Sequence, residues 1–302
     1  MTISRAHDWL WDSWYATAPD GVHAFHLMAA KSLENPDLRH VNARIGHSRS
    51  QDLVTWEALP DALVPGSENA FDDLATWTGS VIEHNGTWHM FYTGIERRTG
   101  GAIQRIGHAT SPDLLTWERV SCEPVVSADA AWYATMDAGE PHEPFRDPWV
   151  FWHDGQWHML ITAIHASERR DGSGSATMAH ATSADLMSWT LHGPLITDSR
   201  FKQLEVFQVV EIDEKWFVVF CCGPHDVQRP GVEPRYATYI APAEGPLGPF
   251  DLDQARPLAG GGIYAGRIVT TPEGEPALMG FIDSGEPGGF TGVISDPVSI
   301  RA

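Results

Sequence analysis

One short pattern, present five times, constrains this chain more than any bulk property does. A turn followed by alternating aromatic and apolar residues recurs at Gly21-Val-His-Ala-Phe-His-Leu27, Gly86-Thr-Trp-His-Met-Phe-Tyr92, Gly155-Gln-Trp-His-Met-Leu-Ile161, Glu214-Lys-Trp-Phe-Val-Val-Phe220 and Glu275-Pro-Ala-Leu-Met-Gly-Phe281. The matching positions Val22, Trp88, Trp157, Trp216 and Ala277 stand 66, 69, 59 and 61 residues apart. Turn signals such as His84-Asn-Gly86 and His153-Asp-Gly155 precede them, so each copy reads as a strand entered from a tight hairpin. A second element follows the first three copies. Ile45-Gly-His-Ser-Arg-Ser-Gln-Asp-Leu-Val-Thr-Trp56 matches Ile106 to Trp117 and Met178 to Trp189, giving a strand, a Ser-x-Asp turn and a Trp that opens the next strand. His47, His108 and His180 recur with this element and read as structural residues of the repeat.

Units of about 60 residues, each with room for four short strands and no long helical period, exclude βαβ crossovers. A β-helix needs shorter repeats, and a β-sandwich would not show so long a period. Radial repetition of four-stranded sheets protects strand edges. The sequence therefore predicts an all-β chain, a five-bladed β-propeller of four-stranded antiparallel blades, with residues 1–302 as one domain.

Composition narrows the partners. Forty acidic against 20 basic residues give a formal net charge of −20, which repels nucleic acid and anionic membrane surfaces and favours a neutral or cationic small ligand. The opening residues lack a basic stretch followed by an apolar core, and no apolar run approaches the ~20 residues of a membrane span. Cys122, Cys221 and Cys222 form neither a disulfide framework nor a zinc spacing. A cytoplasmic setting is the expectation, with no metal and no cofactor; the oligomeric state is left open. The 13 Trp fit a β-rich core and also fit flat platforms for sugar rings.

The inner strands of a propeller share one axis, and they precede the repeat anchors. Ten to thirteen residues before the anchors stand Asp12, Trp77, Asp147, Glu205 and Tyr264. Three carboxylates in aromatic and apolar strands, converging on one channel mouth, are costly to bury without a use. One acid kept protonated and one kept ionised, the latter by hydrogen bonds or Arg146, is the pairing that glycoside hydrolysis needs. The alternative is structural: a lone Asp at a strand start commonly caps a turn, and Arg146 with Asp147 can simply pair two blades. Asp72-Asp73, Glu140, His142, Glu143, Arg229 and Arg235 are weaker candidates for the rim or for sugar hydroxyls. Gly260-Gly-Gly262 lacks the Lys-Ser/Thr of a phosphate loop.

At these residues the sequence resembles the fructan-active glycoside hydrolases, the invertase and levanase family with its levansucrase relatives. Trp11-Asp-Ser-Trp14 is similar to the levansucrase nucleophile motif. Thr76-Trp-Thr-Gly-Ser80 with Phe91-Tyr-Thr-Gly94, Phe145-Arg-Asp-Pro148 and Ile263-Tyr-Ala265 resemble further shared segments. The resemblance implies a five-bladed propeller and a retaining mechanism, with Asp12 as nucleophile, Glu205 as acid/base and Asp147 as transition-state stabiliser. Trp11, Trp77, Ser80, Arg146 and Tyr264 would bind the fructosyl unit of sucrose or a fructo-oligosaccharide. The chain departs from the family at Leu204-Glu-Val-Phe207, where Cys-Pro or Arg-Pro ordinarily follows the acid, and it leaves no room for the C-terminal β-sandwich of invertases. Two other readings stay open at this point: an inverting arabinofuranosidase, arabinanase or xylosidase propeller, and a propeller that binds carbohydrate without catalysis.

Overall fold

Tight hairpins, four of the five inner ones turning through a Gly and the blade IV one through Asp213-Glu214, and antiparallel pairing of each strand with the next produce five separate sheets. The structure, a computed structural model, describes residues 2–166, 176–197, 199–259 and 261–300. Blade I holds β1 (Asp8–Ala18), β2 (Gly21–Ala30), β3 (Arg44–Ser50) and β4 (Glu57–Leu63). Blade II holds β5 (Ala75–His84), β6 (Thr87–Ile95), β7 (Gln104–Ser111) and β8 (Glu118–Arg119). Blade III holds β9 (Phe145–His153), β10 (Gln156–Ile164), β11 (Ala176–Ser183) and β12 (Thr190–His192). Blade IV holds β13 (Glu205–Ile212), β14 (Lys215–Cys222), β15 (Ala237–Ala243) and β16 (Arg256–Pro257). Blade V holds β17 (Ile263–Thr270), β18 (Pro276–Ile282) and β19 (Val298–Ser299).

Every sheet runs in chain order from its inner strand outward. The inner strands pack as a closed circuit: β1 against β5, β5 against β9, β9 against β13, β13 against β17, and β17 back against β1. This is the five-bladed propeller that the repeat predicts. In blade V a bridge between Ile3 and Ile294 occupies the place of an outer strand, with hydrogen bonds of 3.1 and 3.0 Å in both directions. A residue from ahead of blade I thereby joins blade V to the start of the ring.

The Ser-x-Asp-Leu-x-Thr/Ser-Trp element does the same work in three blades. Asp113 Oδ1 accepts from the N–H groups of Leu115 and Thr116 at 2.9 and 2.8 Å, and Asp52 and Asp185 do likewise. Leu53, Leu114 and Leu186 take φ of 60°, 64° and 64° and are buried, and each following Trp donates Nε1–H to that Leu carbonyl. The Trp rings then couple blades. Trp117 of blade II meets Phe25 of blade I edge-on at 5.6 Å, and Trp189 of blade III meets Phe91 of blade II at 5.3 Å. The repeat histidines pair within their blades: His23 with His47, His89 with His108 and His158 with His180, at 2.8, 2.9 and 2.9 Å. Burial lowers the pKa of His47 and of His108 to about 3, so both stay neutral inside the blades.

Candidate active site

Each inner strand slips register once near its start. Paired residues jump from Trp11 to Ser13 in β1, Trp77 to Gly79 in β5, Arg146 to Trp149 in β9, Glu205 to Gln208 in β13 and Tyr264 to Arg267 in β17. These are β-bulges, which re-aim side chains where a ladder would otherwise point them sideways. The bulged residues Asp12, Asp147, Val206 and Ala265 take φ of 27°, 58°, 56° and 48°, each costing on the order of 1 kcal/mol or more. Thr78 is the blade II counterpart. Gly79 follows it because a Cβ there would lie 2.1 Å from the Phe91 carbonyl oxygen.

The ladders correct one sequence inference. Asp12, Trp77, Asp147, Glu205 and Tyr264 do not share a single position. The last paired residues before the bulges are Trp11, Trp77, Arg146, Glu205 and Tyr264, while Asp12 and Asp147 are bulged residues. Glu205 therefore stands one residue earlier in its blade than the two aspartates do in theirs. The offsets from the anchors agree with this: Asp12 and Asp147 stand ten residues ahead of theirs and Glu205 eleven.

The bulges of blades I to IV are linked in turn, and Arg267 of blade V joins the last of them. Thr78 Oγ1 donates to Asp12 Oδ2. Thr93 Oγ1 donates to the Thr78 carbonyl at 3.0 Å and accepts from Asp147 N–H at 2.9 Å. Val206 N–H donates to Asp147 Oδ2 at 3.4 Å, and Arg267 Nη1 donates to the carbonyls of Val206 and Phe207.

Above them lies a cavity of about 490 Å³, of a size for a small ligand. Trp11, Asp12, Trp77, Arg146, Asp147, Glu205 and Tyr264 all line it. Ser80 does not: its hydroxyl is buried behind the strand and accepts from Val150 N–H of blade III at 3.2 Å. That placement corrects the expectation that Ser80 contacts a sugar. Residues beyond the sequence reading also line the cavity, among them Thr78, Arg39, His40, Gln104, Gln203 and Tyr236. Arg39 and His40 come from a 3₁₀ segment, Pro36–Asn42, inserted between β2 and β3. Arg39 lies 5.7 Å from the Trp11 ring and 4.1 Å from that of Phe290. The His40 carbonyl accepts from Trp77 Nε1–H at 2.6 Å.

The carboxylates differ in surroundings. Glu205 accepts from Arg146 Nη2 at 2.6 Å through Oε1 and from the Tyr264 hydroxyl at 2.5 Å through Oε2, which fixes its rotamer. Tyr264 stacks on Tyr236 with centroids 4.0 Å apart. Arg146 also donates to Gln203 and Gln104 at 2.9 and 3.3 Å, and its Nε lies 3.4 Å from Asp147 Oδ2. Burial raises the Asp147 pKa to about 6 although Arg146 opposes it. Burial, then the nearby Asp147 charge, raises that of Asp12 to about 7, with the Thr78 hydroxyl opposing. Arg146 stays charged, since Glu205 and Asp147 more than offset its burial. One acid sits on a firm cationic and phenolic cradle; two others share a low-dielectric floor.

Of the weaker candidates, only His142 lines the cavity. Asp72 is buried on Tyr92 and Arg119, and Asp73 accepts from the N–H groups of Asn69 and Arg97. Glu143 accepts from Met136 N–H at 3.2 Å. Arg229 pairs with Asp253 and Arg235 with Glu233. Glu140 is not among the lining residues, and Gly260 lies outside the described residues. Among the described residues no group of three or more His, Cys, Asp or Glu is arranged to hold a metal ion.

Comparison with known proteins agrees with this geometry. Residues 23–288 match the N-terminal domain of the glycosyl hydrolases family 32. The chain belongs to that family. Asp12 lies ahead of the matched segment. A rice (Oryza sativa subsp. indica) β-fructofuranosidase, insoluble isoenzyme 1, is 34% identical over 41% of this chain and 21% of its own length. A sucrose-6-phosphate hydrolase of Zymomonas mobilis is 28% identical over 51% of this chain and 28% of its own. The matches thus span only 21% and 28% of the length of these curated relatives. Among solved structures, an inulosucrase from Halalkalicoccus jeotgali bound to kestose superposes with a TM-score of 0.75 at 21% identity, covering 96% of this family 32 chain and 84% of that one. A Bombyx mori β-fructofuranosidase gives 0.72 at 20% identity, covering 97% and 61%. At these identities the superpositions establish the shared propeller.

Proposed function

We propose that this chain cleaves or transfers a β-fructofuranosyl unit of sucrose or a short fructo-oligosaccharide, with retention, through a covalent fructosyl-enzyme. The observation that carries the reading is the gathering of Asp12, Asp147 and Glu205 in one cavity, with only Glu205 held at both oxygens by an Arg and a Tyr. The family membership and the sugars named for related structures support it.

In this mechanism the Asp12 carboxylate attacks the anomeric carbon as the bond to the leaving oxygen breaks, and Glu205 protonates that oxygen. Glu205 then takes a proton from water, or from a sugar hydroxyl, whose oxygen attacks the same carbon and frees Asp12. Hydrolysis and transfer differ only in that acceptor. Asp147 holds ring hydroxyls as positive charge develops on the sugar, and its partner Arg146 limits the cost of its burial. Trp11 and Trp77 offer apolar faces for the ring. Tyr264 and Arg146 position Glu205.

Incubation with sucrose, short inulin and levan oligomers and aryl arabinofuranosides, followed by product and anomer identification, tests the proposal. Fructose or a fructosylated product of retained configuration supports it. Turnover of arabinofuranosides alone, with inversion, overturns it.

A further inference from the structure

Beneath the floor of this cavity lies a cation that the proposed chemistry does not use. Arg267 on β17 is 1% exposed, and no carboxylate stands within ion-pair distance of it among the described residues. Its Nε and Nη2 have no hydrogen-bond partner there either. Nη1 donates to the Val206 carbonyl at 3.2 Å and to the Phe207 carbonyl, and the guanidinium lies 4.8 Å from the Trp149 ring centroid. Isolating a guanidinium in this way is expensive unless its charge or its Nη1 bonds are used.

Both have a target. The two carbonyls belong to the strained bulge of β13, next in sequence to Glu205, and Val206 N–H donates to Asp147. A side-chain pair sews the same strands together just beyond: Gln208 Nε2 donates to the Ile268 carbonyl at 2.9 Å and Ile268 N–H donates to Gln208 Oε1 at 2.7 Å. We propose that Arg267 is a positioning residue for both halves of the site: its Nη1, bonded to two successive carbonyls, fixes the Glu205 segment, and its charge favours the ionised forms of Asp147 and Asp12. The inference rests on the proposed function for the kinetic consequence, but not for the electrostatic one.

The groups that act on Arg267 are Asp147 of β9, Asp12 and Tyr15 of β1, and Cys221 of β14. Asp147 is the largest of those that keep Arg267 charged, and burial, which opposes them, lowers its pKa to about 10; Arg267 in turn lowers the pKa of Asp147. At neutral pH it is therefore a cation. Loss of a positive charge that acts on a buried carboxyl raises the pKa of that carboxyl, by about half a unit or more.

The test uses Arg267→Met and Arg267→Lys in the full chain. Carboxyl 13C titrations of the aspartates, assigned with Asp12→Asn and Asp147→Asn, are read beside kcat and KM against pH for whichever sugar the wild type turns over. In Arg267→Met both aspartate titrations are expected to move up by about half a unit or more, carrying the acid limb of kcat/KM with them. Arg267→Lys keeps the charge but loses the Nη1 bonds to the Val206 and Phe207 carbonyls, so its titrations stay in place while kcat falls about tenfold with little change in KM. Unmoved titrations in folded Arg267→Met overturn the electrostatic half. Wild-type kcat in Arg267→Lys overturns the positional half, and this variant stands if the Met variant does not fold. If no fructoside is turned over, the functional reading has failed, and the titrations still decide whether Arg267 tunes the acids.

Discussion

The inner and outer ends of the blades repeat in opposite ways. At the outer turns of blades I to III both backbone and residues recur: Ser, Asp, Leu and Trp make the same bonds three times over. At the inner bulges the backbone recurs in all five blades, but the residues diverge: Asp12, Thr78, Asp147, Val206 and Ala265, preceded by Trp, Trp, Arg, Glu and Tyr. Identical residues at matching places serve the common need of folding a blade. Differing residues on a common bulge, strained in four of the five blades, are free to serve one asymmetric ligand. The contrast separates structure from chemistry within a single repeat.

The largest effect expected on this view is at the inner end. Asp12→Asn removes the nucleophile while keeping shape, so kcat is expected to drop by about 10⁴-fold or more in a steady-state assay. The same change is expected to stabilise the fold. A carboxyl whose folded pKa is raised to about 7, from about 4 when unfolded, binds more protons folded than unfolded between those values, so stability falls as pH rises through that window. Thermal melts of Asp12→Asn against wild type are expected to show a gain of roughly 1–3 kcal/mol at pH 7–8, fading towards pH 4. An unstable variant would break the comparison, for it would make Asp12 structural.

Tyr264→Phe comes next. It deletes one of the two bonds that hold Glu205 and leaves the Tyr236 stack in place. A loss of about 10–100-fold in kcat is expected, with KM little changed. Asp147→Asn sharpens the electrostatic side. Since the Asp147 charge helps to raise the Asp12 pKa, its removal is expected to move the acid limb of residual kcat/KM down by about one unit, against a wild-type limb near neutral pH. The smallest effect belongs to the outer end. Asp113→Ala loses the two bonds from Leu115 and Thr116 N–H and is expected to cost about 1 kcal/mol in chemical denaturation, with activity untouched.

Much of this was legible because periodicity survives in side chains. The strand alternation and the Trp anchors carried the blade count, and the acids stood out against aromatic strands. What escaped is set by backbone or by long-range approach. The bulges are backbone features that no residue type announces, and they make Asp12 and Asp147 bulged residues while Glu205 is the paired residue before one. Ser80 lies in a segment resembling a sugar-binding one, yet strand pleat turns it to Val150 of the next blade. Gln104, Gln203 and Tyr236 arrive on or beside strands far apart in the chain, and Arg39 and His40 on an inserted 3₁₀ segment; nothing local marks them. Arg267 looks like an ordinary charge in a strand until its burial is seen.

The most direct measurement is to trap the intermediate. Glu205→Ala with an activated fructofuranoside, whose leaving group needs no proton, is expected to form the ester and to lose the base that speeds its hydrolysis. Peptide mass spectrometry should then find one fructosyl residue on the peptide containing Asp12, and nowhere else. Release of the leaving group with an unmodified Asp12 peptide, or a label on another residue, would contradict the account.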